Sequence, residues 1–160
     1  MNSKWLDSHP NIRLATAADL ERIFEIERLC FDSQWSLNQF CSSFKEVFYV
    51  FEEEEILGFL IGCSCGIARR AIILRIAVHP DYWGRGIASK LISAALDKFR
   101  QLGLKWVELD VDIVKNGAIK LYEKFGFKVM RVVTVNYDEE SSFLIMKLTL
   151  HNSNTEMKKG

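Results

Sequence analysis

Residues 76–92 read Ile-Ala-Val-His-Pro-Asp-Tyr-Trp-Gly-Arg-Gly-Ile-Ala-Ser-Lys-Leu-Ile, and this stretch decides the fold. Its pattern predicts a strand that ends at His79-Pro80, a turn with two glycines, Gly84 and Gly86, and a helix that begins directly afterwards. Glycine lets the backbone approach a ligand closely, and a helix start offers unpaired N–H groups at its positive end. Together these features predict a seat for a pyrophosphate, with Arg85 and Lys90 as the only basic side chains near it.

Nucleotide sites of several classes use glycine-rich turns. The chain contains no Gly-x-x-x-x-Gly-Lys-Ser/Thr segment, which argues against an NTP-binding P-loop. A dinucleotide fold uses a third glycine and an acidic residue about 20 residues further on. Position 89 is Ser89, but Asp110 and Asp112 lie near that distance, so spacing alone leaves this interpretation open. The four-residue approach His79–Tyr82 argues against it.

This stretch resembles the phosphate motif of the GNAT superfamily of acyl-CoA-dependent N-acetyltransferases, Arg/Gln-x-x-Gly-x-Gly/Ala after a strand ending in Val-x-Pro. Gly86 and Ala88 match the motif, whereas Trp83 stands where the family usually has Arg or Gln. The resemblance implies that acetyl-CoA is the co-substrate. It also implies that acetyl-CoA is bound, largely through backbone groups, by Ile76, Ala77, Val78, Trp83, Gly84, Arg85, Gly86, Ile87, Ala88 and Ser89.

Residues 116–127, Asn-Gly-Ala-Ile-Lys-Leu-Tyr-Glu-Lys-Phe-Gly-Phe, are similar to a second segment of the family, Asn-x-x-Ala-x-x-Leu-Tyr-x-x-x-Gly-Phe. Tyr122 takes the place of the family tyrosine. The family asparagine usually precedes that tyrosine by seven residues, which is Lys115 here, so Asn116 is one place late for its cofactor contact. The resemblance covers about residues 12–150.

The resemblance implies a single α/β domain with a mixed, mostly antiparallel sheet of about seven strands, one splayed parallel pair and four helices. Hydrophobic periodicity predicts the same order of elements. The predicted strands are 12–15, 47–52, 56–65, 71–78, 106–112, 129–137 and 143–150. Helices are predicted behind capping boxes at 16–19 and 36–39, from 87 to a C-cap at Gly103, and over 118–125. Residues 1–11 and 151–160 are predicted to be flexible.

Composition excludes some partners. The chain has 160 residues with 21 basic and 21 acidic side chains, so net charge gives no reason to expect nucleic acid or a membrane as a partner. The N-terminus lacks a signal-peptide pattern and the longest apolar run is too short to span a bilayer, which predicts a cytoplasmic protein. The cysteines are expected to be buried free thiols rather than metal ligands: Cys30, Cys41, Cys63 and Cys65.

The strand at 106–112 alternates between apolar and acidic side chains, which places Glu108, Asp110 and Asp112 on one face. This face could be solvated, but a strand inside an α/β sheet is normally covered on both sides. A carboxylate can accept the proton of an acceptor amine, directly or through water. In RimI-type acetyltransferases of this family a catalytic glutamate lies twelve residues before the tyrosine. That position is Asp110 here, and Glu108 is the alternative base.

Tyr122 also has two interpretations. The resemblance implies that its hydroxyl faces the thioester sulfur and protonates the departing thiolate. Its helical spacing with Ala118, Leu121 and Phe125 would equally place it in the core.

The acceptor side is predicted from two segments. Phe31-Asp32-Ser33-Gln34-Trp35-Ser36 resembles the loop that covers the acceptor groove in RimI-like enzymes, which implies a substrate contact for Trp35; a helix-linking loop with a buried tryptophan is the alternative. Asn136-Tyr137 resembles the start of the opposite wall, and Glu108 would line the groove. The leading hypothesis is acetyl transfer to a protein N-terminus. A GNAT enzyme for a small amine, such as a polyamine or amino compound, and a catalytically silent CoA-binding sensor are the alternatives.

Overall fold

The computed structural model describes residues 8–44, 47–135 and 142–151. Within these ranges the strands are β1 (Ile12–Leu14), β2 (Val47–Glu52), β3 (Ile56–Cys65), β4 (Arg70–Val78), β5 (Trp106–Asp112), β6 (Lys128–Thr134) and β7 (Ser142–Thr149). The α-helices are α1 (Leu20–Cys30), α2 (Leu37–Ser43), α3 (Ile87–Gln101) and α4 (Asn116–Lys124). Short 3-10 turns at Ala17–Asp19 and Pro80–Tyr82 precede α1 and α3.

The strands form a seven-stranded sheet in the order β1-β2-β3-β4-β5-β7-β6. The strands on either side of the phosphate helix pair in parallel, with Arg70–Ile73 of β4 in register with Trp106–Leu109 of β5. Antiparallel pairing joins β1 to β2, β2 to β3, β5 to β7 and β6 to β7. The predicted mixed α/β architecture, with seven strands, one parallel pair and four helices, is therefore confirmed.

The described residues group into two compact units. One contains Met1–Cys63 and Leu74–Lys98, and the other contains Ser64–Ile73 and Phe99–Gly160, in each case as far as those ranges are described. In the first unit, aromatic side chains dominate the core. Phe24 meets Phe40 edge to face at 5.1 Å, and Phe40 lies 6.0 Å from Phe59. The fully buried members of this core include Ile23, Ile26, Phe40, Val50, Phe59 and Ile61.

The core of the second unit follows from the alternation of β5. Val107, Leu109 and Val111 are buried, while Asp110 and Asp112 are exposed and Glu108 is half-buried. Met146 of β7, which pairs with Leu109, is also fully buried. The predicted alternation of this strand is confirmed. None of the described helices is long and apolar enough to cross a membrane.

Both predicted capping boxes are present. The Ser36 N–H donates to the Gln39 side chain at 2.8 Å, and the Gln39 N–H donates to the Ser36 hydroxyl at 3.2 Å. The Thr16 N–H donates to the Asp19 carboxylate at 2.7 Å. Asp19 also accepts two hydrogen bonds from Arg13, at 2.8 and 2.9 Å. The start of α1 is therefore tied to β1 by a buried carboxylate.

Two details differ from the sequence-based expectations. Helix α4 begins at Asn116, two residues earlier than predicted, because the Ile119 N–H bonds to the Lys115 carbonyl at 3.1 Å and closes the first turn. The expectation of four buried thiols is wrong, since Cys41 and Cys65 are exposed and the other two are only partly buried. In the short helix α2 the buried face is the one that carries Phe40 and Ser43, about 100° away from Cys41.

Replacing Asp19 by Asn should reveal the contribution of this carboxylate to stability. Its hydrogen bonds from Arg13 hold the pKa of Asp19 below the ordinary value of 3.8, against the opposing effect of burial. The carboxylate therefore stabilises the folded state above that value, and the contribution disappears as the pH falls through the lowered pKa. We expect Asp19→Asn to reduce the free energy of unfolding at pH 7 by about 1 kcal/mol.

Urea unfolding at a series of pH values measures this effect. The difference between wild type and variant should shrink below about pH 4. Asp32→Asn, at an exposed acid, serves as the matched control and should show little loss. A difference that is the same at pH 3 and pH 7 would contradict the assignment.

Candidate active site

The glycine-rich turn has the backbone geometry that the sequence predicts. Gly84 and Gly86 have φ angles of 81° and 79°, a region that favours glycine. The Lys90 N–H donates to the Gly86 carbonyl at 3.1 Å, so α3 starts directly at this turn. A Cβ atom built on either glycine would meet nothing within 4 Å. The space over the turn is open, and the first N–H groups of α3 lie at its edge.

The end of β4 is fixed by a close approach to Gly58 of β3, which the sequence analysis did not predict. A Cβ atom at Gly58 of β3 would lie 2.9 Å from the carbonyl oxygen of Ala77, and 3.3 Å from a methyl group of Ile87. The His79 N–H donates to the Leu57 carbonyl at 2.8 Å. Gly58 thus lets the last residues of β4 and the first residue of α3 pack tightly. A lone glycine inside an apolar strand pattern was the available signal.

Trp83 stands where the family usually has Arg or Gln, and its side chain forms a hydrogen bond within the protein. Its indole Nε1–H donates to the carbonyl of Val78 at 2.7 Å, while the residue stays 65% exposed. The thiol of Cys30 donates to the same carbonyl at 3.2 Å. Because a carbonyl oxygen has two lone pairs, both are now occupied. The N–H of the same peptide unit, that of His79, already donates to the Leu57 carbonyl, so the hydrogen-bonding groups of this peptide are engaged within the protein.

Two exposed cations flank the turn. The guanidinium carbon of Arg85 lies 5.2 Å from the centre of the Tyr82 ring, and the ammonium of Lys90 lies 5.5 Å from that of Phe51. Cation–π contacts at these distances hold a side chain loosely and leave its charge available. The turn, the helix start and these cations have the features expected of the predicted anion site.

Tyr122 lies on α4 in the second unit and is only 6% exposed. Its ring meets Phe127 edge to face at 5.9 Å. Burial, and secondarily the negative charge of Asp110, raise the pKa of Tyr122 to about 12. The phenol therefore stays protonated at any physiological pH. The charge effect also shows that the two predicted catalytic residues lie within electrostatic reach of each other.

The raised pKa changes what Tyr122 can do for a leaving thiolate. A thiol has an ordinary pKa of about 8.5, so complete transfer of the phenol proton to a free thiolate would be uphill by roughly 5 kcal/mol. The neutral phenol remains a good hydrogen-bond donor to a sulfur that gains negative charge. If Tyr122 faces the sulfur, as the resemblance implies, its raised pKa favours a hydrogen bond to the thiolate over outright protonation.

The three acids of β5 have different partners. Glu108 faces Arg70 at 3.4 Å, and Asp112 accepts the N–H of Val114 at 3.1 Å in the following turn. Within the described part of the chain, Asp110 has neither a hydrogen-bond nor an ion-pair partner, and its side chain is exposed. Of the three, Asp110 is the carboxylate that can receive a proton without breaking an existing contact.

The remaining predicted site residues are placed as follows. Trp35 is half-buried, its N–H donates to Glu27 at 3.1 Å, and its ring lies 5.5 Å from that of Phe40. Asn116 is the first residue of α4 and is exposed. Tyr137 lies outside the described residues. Among the described residues, His, Cys, Asp and Glu form no cluster that could hold a metal ion.

The chain belongs to the Acetyltransferase (GNAT) family, whose pattern matches residues 14–127. It is an N-acetyltransferase with acetyl-CoA as its co-substrate. The turn predicted to seat the pyrophosphate belongs to the first compact unit, and Tyr122 and Asp110 belong to the second.

Several proteins that are similar to this chain over most of its length have named activities. A proposed ribosomal protein bS18-alanine N-acetyltransferase of Bacillus subtilis is 29% identical over 148 residues, which cover 88% of this chain and 94% of that protein. An N-alpha-acetyltransferase of Sulfurisphaera tokodaii is 28% identical over 150 residues, which cover 84% of this chain and 90% of that protein. The crystal structure of Ard1 from Thermoplasma volcanium has the same fold, with a TM-score of 0.80 at 24% identity over 88% of this chain and 97% of that one.

Gly86→Glu should abolish the rise in melting temperature that acetyl-CoA produces, because it puts bulk and negative charge on the pyrophosphate seat. Gly103→Glu is the matched control. Gly103 also has a positive φ, 73°, and open space around its Cα, so the backbone strain of the two substitutions is similar. Thermal unfolding with acetyl-CoA, ATP and NAD measures the effect. A shift with ATP as large as with acetyl-CoA, or an unchanged acetyl-CoA shift in Gly86→Glu, would contradict the assigned seat.

Proposed function

We propose that this enzyme acetylates the N-terminal α-amine of proteins. The observation that carries the proposal is the unpartnered carboxylate of Asp110, within electrostatic reach of the buried Tyr122. A single exposed carboxylate is a weak base and suits an amine that loses its proton easily. The names of the relatives from Bacillus subtilis and Sulfurisphaera tokodaii support the same class of acceptor.

The energetics of the acceptor favour an α-amine over a lysine. An α-amine has an ordinary pKa of about 7.7–8.0, so making it neutral at pH 7 costs about 1 kcal/mol. A lysine, with a pKa of about 10.4, costs roughly 4.6 kcal/mol under the same conditions. Asp110 is proposed to accept the proton of the α-amine, directly or through a bridging water.

The proposed reaction distributes its protons and electrons as follows. Asp110 or its bridging water accepts a proton from the ammonium, and the neutral nitrogen attacks the thioester carbonyl carbon. The tetrahedral intermediate collapses, the C–S bond breaks, and its electron pair leaves on the sulfur of CoA. Tyr122 donates a hydrogen bond to this sulfur as its charge grows. The positively charged nitrogen loses its second proton to water before this collapse, the thiolate then takes a proton from water, and Asp110 releases its proton to solvent. The net products are the amide, the thiol of CoA and one proton.

The backbone groups at the end of β4 are proposed to hold the acyl end of the cofactor. Ile76 and Ala77 directly precede Val78, whose carbonyl is already occupied. Donors for the carbonyl oxygen of the thioester are therefore expected among the N–H groups of this segment. The pyrophosphate is assigned to the turn from Trp83 to Ser89, and Trp35 to the acceptor side.

A panel of acceptors tests the proposal. We expect acetyl transfer to peptides with a free N-terminus, and no transfer to the same peptides with a blocked N-terminus and an internal lysine, or to polyamines.

Tyr122→Phe should lower kcat roughly 10- to 100-fold, with little change in acetyl-CoA affinity, since the ring still packs on Phe127 and only the hydrogen bond is lost.

Mass spectrometry of the products and steady-state kinetics give these quantities. Faster transfer to a polyamine than to every peptide would replace the protein acceptor by a small amine. Binding of acetyl-CoA without transfer in a single turnover would indicate a silent CoA-binding protein. Unchanged kcat in Tyr122→Phe would assign the tyrosine to the core alone.

Asp110→Asn should lower kcat most at low pH, where the acceptor amine is largely protonated, and progressively less above the pKa of the amine. General-base steps contribute about 10²–10⁴-fold, and we expect the low end for an α-amine. Asp112→Asn is the matched control, because it removes a charge from the same face of β5, two residues away.

A pH–rate profile with one peptide acceptor compares the three proteins. Equal losses at every pH would give Asp110 a positioning role. A wild-type rate in Asp110→Asn would move the role of base to Glu108 or to solvent, which Glu108→Gln would then distinguish.

A further inference from the structure

One arginine of β4 contacts α1 and three residues of the segment between α1 and α2. The guanidinium of Arg75 forms an ion pair with Glu27, in which Nε donates to the two carboxylate oxygens at 3.1 and 3.3 Å and Nη2 makes a further short contact. Nη2 also donates to the carbonyl of Ser33 at 2.7 Å. The guanidinium carbon lies 3.5 Å from the centre of the Phe31 ring and 5.5 Å from that of Trp35.

Glu27 completes this connection from the other side. It is 1% exposed, so its charge depends on partners inside the protein. Besides Arg75, its carboxylate accepts the N–H of Trp35 at 3.1 Å. The segment 31–35 is thus held at the Ser33 carbonyl by Arg75 and at the Trp35 N–H by Glu27, and both holders depend on the same ion pair.

The segment has few other anchors at its centre. Asp32, Ser33 and Gln34 are exposed, and no helix or strand includes residues 31–36. Burying an ion pair contributes little net stability compared with apolar side chains of similar size, because desolvation offsets the attraction. What this pair provides is direction, since a planar guanidinium fixes the groups that it binds in one geometry.

We infer that Arg75 is a positioning residue for the acceptor: it holds residues 31–35 in the conformation that receives the peptide N-terminus. The inference rests on the proposed function, which assigns Trp35 to the acceptor side. Arg75 also directly precedes Ile76, Ala77 and Val78, to which the acyl end of the cofactor is assigned. Strand β4 would therefore position the acetyl donor through its backbone and the acceptor amine through the side chain of Arg75.

Arg75→Lys keeps the charge but loses the planar fork and the stacking on Phe31. We expect KM for a peptide acceptor to rise about tenfold, which corresponds to ~1.4 kcal/mol, with kcat and KM for acetyl-CoA nearly unchanged. Arg13→Lys is the matched control. Arg13 makes a comparable two-pronged contact with the buried Asp19 in the same unit, but does not touch the segment 31–35.

Hydrogen exchange of the Trp35 amide gives a second readout, independent of activity. It should be protected in wild type and in Arg13→Lys, and exchange much faster in Arg75→Lys. If Arg75→Lys does not fold, the double variant Glu27→Leu with Arg75→Met removes both charges together and avoids leaving one buried and unpaired. It should show the same rise in peptide KM and the same loss of Trp35 protection.

The outcomes separate the two hypotheses. If wild type acetylates peptides and the Arg75 variants keep its peptide KM, or keep the protection of the Trp35 amide, the positioning role is overturned while the proposed function stands. A fall in kcat and an equal rise in both KM values, shared with Arg13→Lys, would also overturn it, since that pattern reports general loss of structure. If wild type acetylates no peptide, the proposed function fails first and this inference fails with it.

Discussion

The close approach at Gly58 is the constraint on which the cofactor seat depends. With no Cβ there, β3 can lie against the Ala77 carbonyl and the first residue of α3 at once. The His79 N–H is then within reach of the Leu57 carbonyl, which ends β4 at a defined point. The direction in which α3 leaves the turn follows from this end point. A methyl group at residue 58 would displace the N-terminus of the helix, which is the predicted seat of the pyrophosphate.

Much of the fold could be predicted from short sequence patterns, because these patterns reflect interactions between residues that are close together in the chain. The alternation of β5 has a period of two and requires only that one face be covered, so its buried residues could be read directly. The capping boxes depend on residues three apart, and both formed as predicted. The prediction that Cys41 is buried was wrong because a seven-residue helix buries only a narrow stripe of side chains. An apolar side chain beside that stripe can stay exposed, as Cys41 does.

Long-range partners could not be predicted in this way. Glu27 and Arg75 are 48 residues apart, and nothing in either neighbourhood indicates the other. The acids of β5 are equivalent in the sequence pattern, but Arg70 and Val114 engage two of them and leave Asp110. For Tyr122, the structure shows the burial that its helical spacing predicts, and that burial raises the pKa of its hydroxyl, while its contact with the thioester sulfur stays a prediction. The role of a residue here depends on which neighbours the fold supplies.

The distribution of thiols has a practical consequence. Cys41 belongs to the first compact unit and Cys65 to the second, and both are exposed, while Cys30 and Cys63 are partly shielded. The unmodified chain therefore carries one accessible attachment point for a spectroscopic label on each unit. A label on Cys41 or on Cys65 would therefore report on one unit at a time. The same exposure makes the protein sensitive to oxidants, so a reductant is needed during handling.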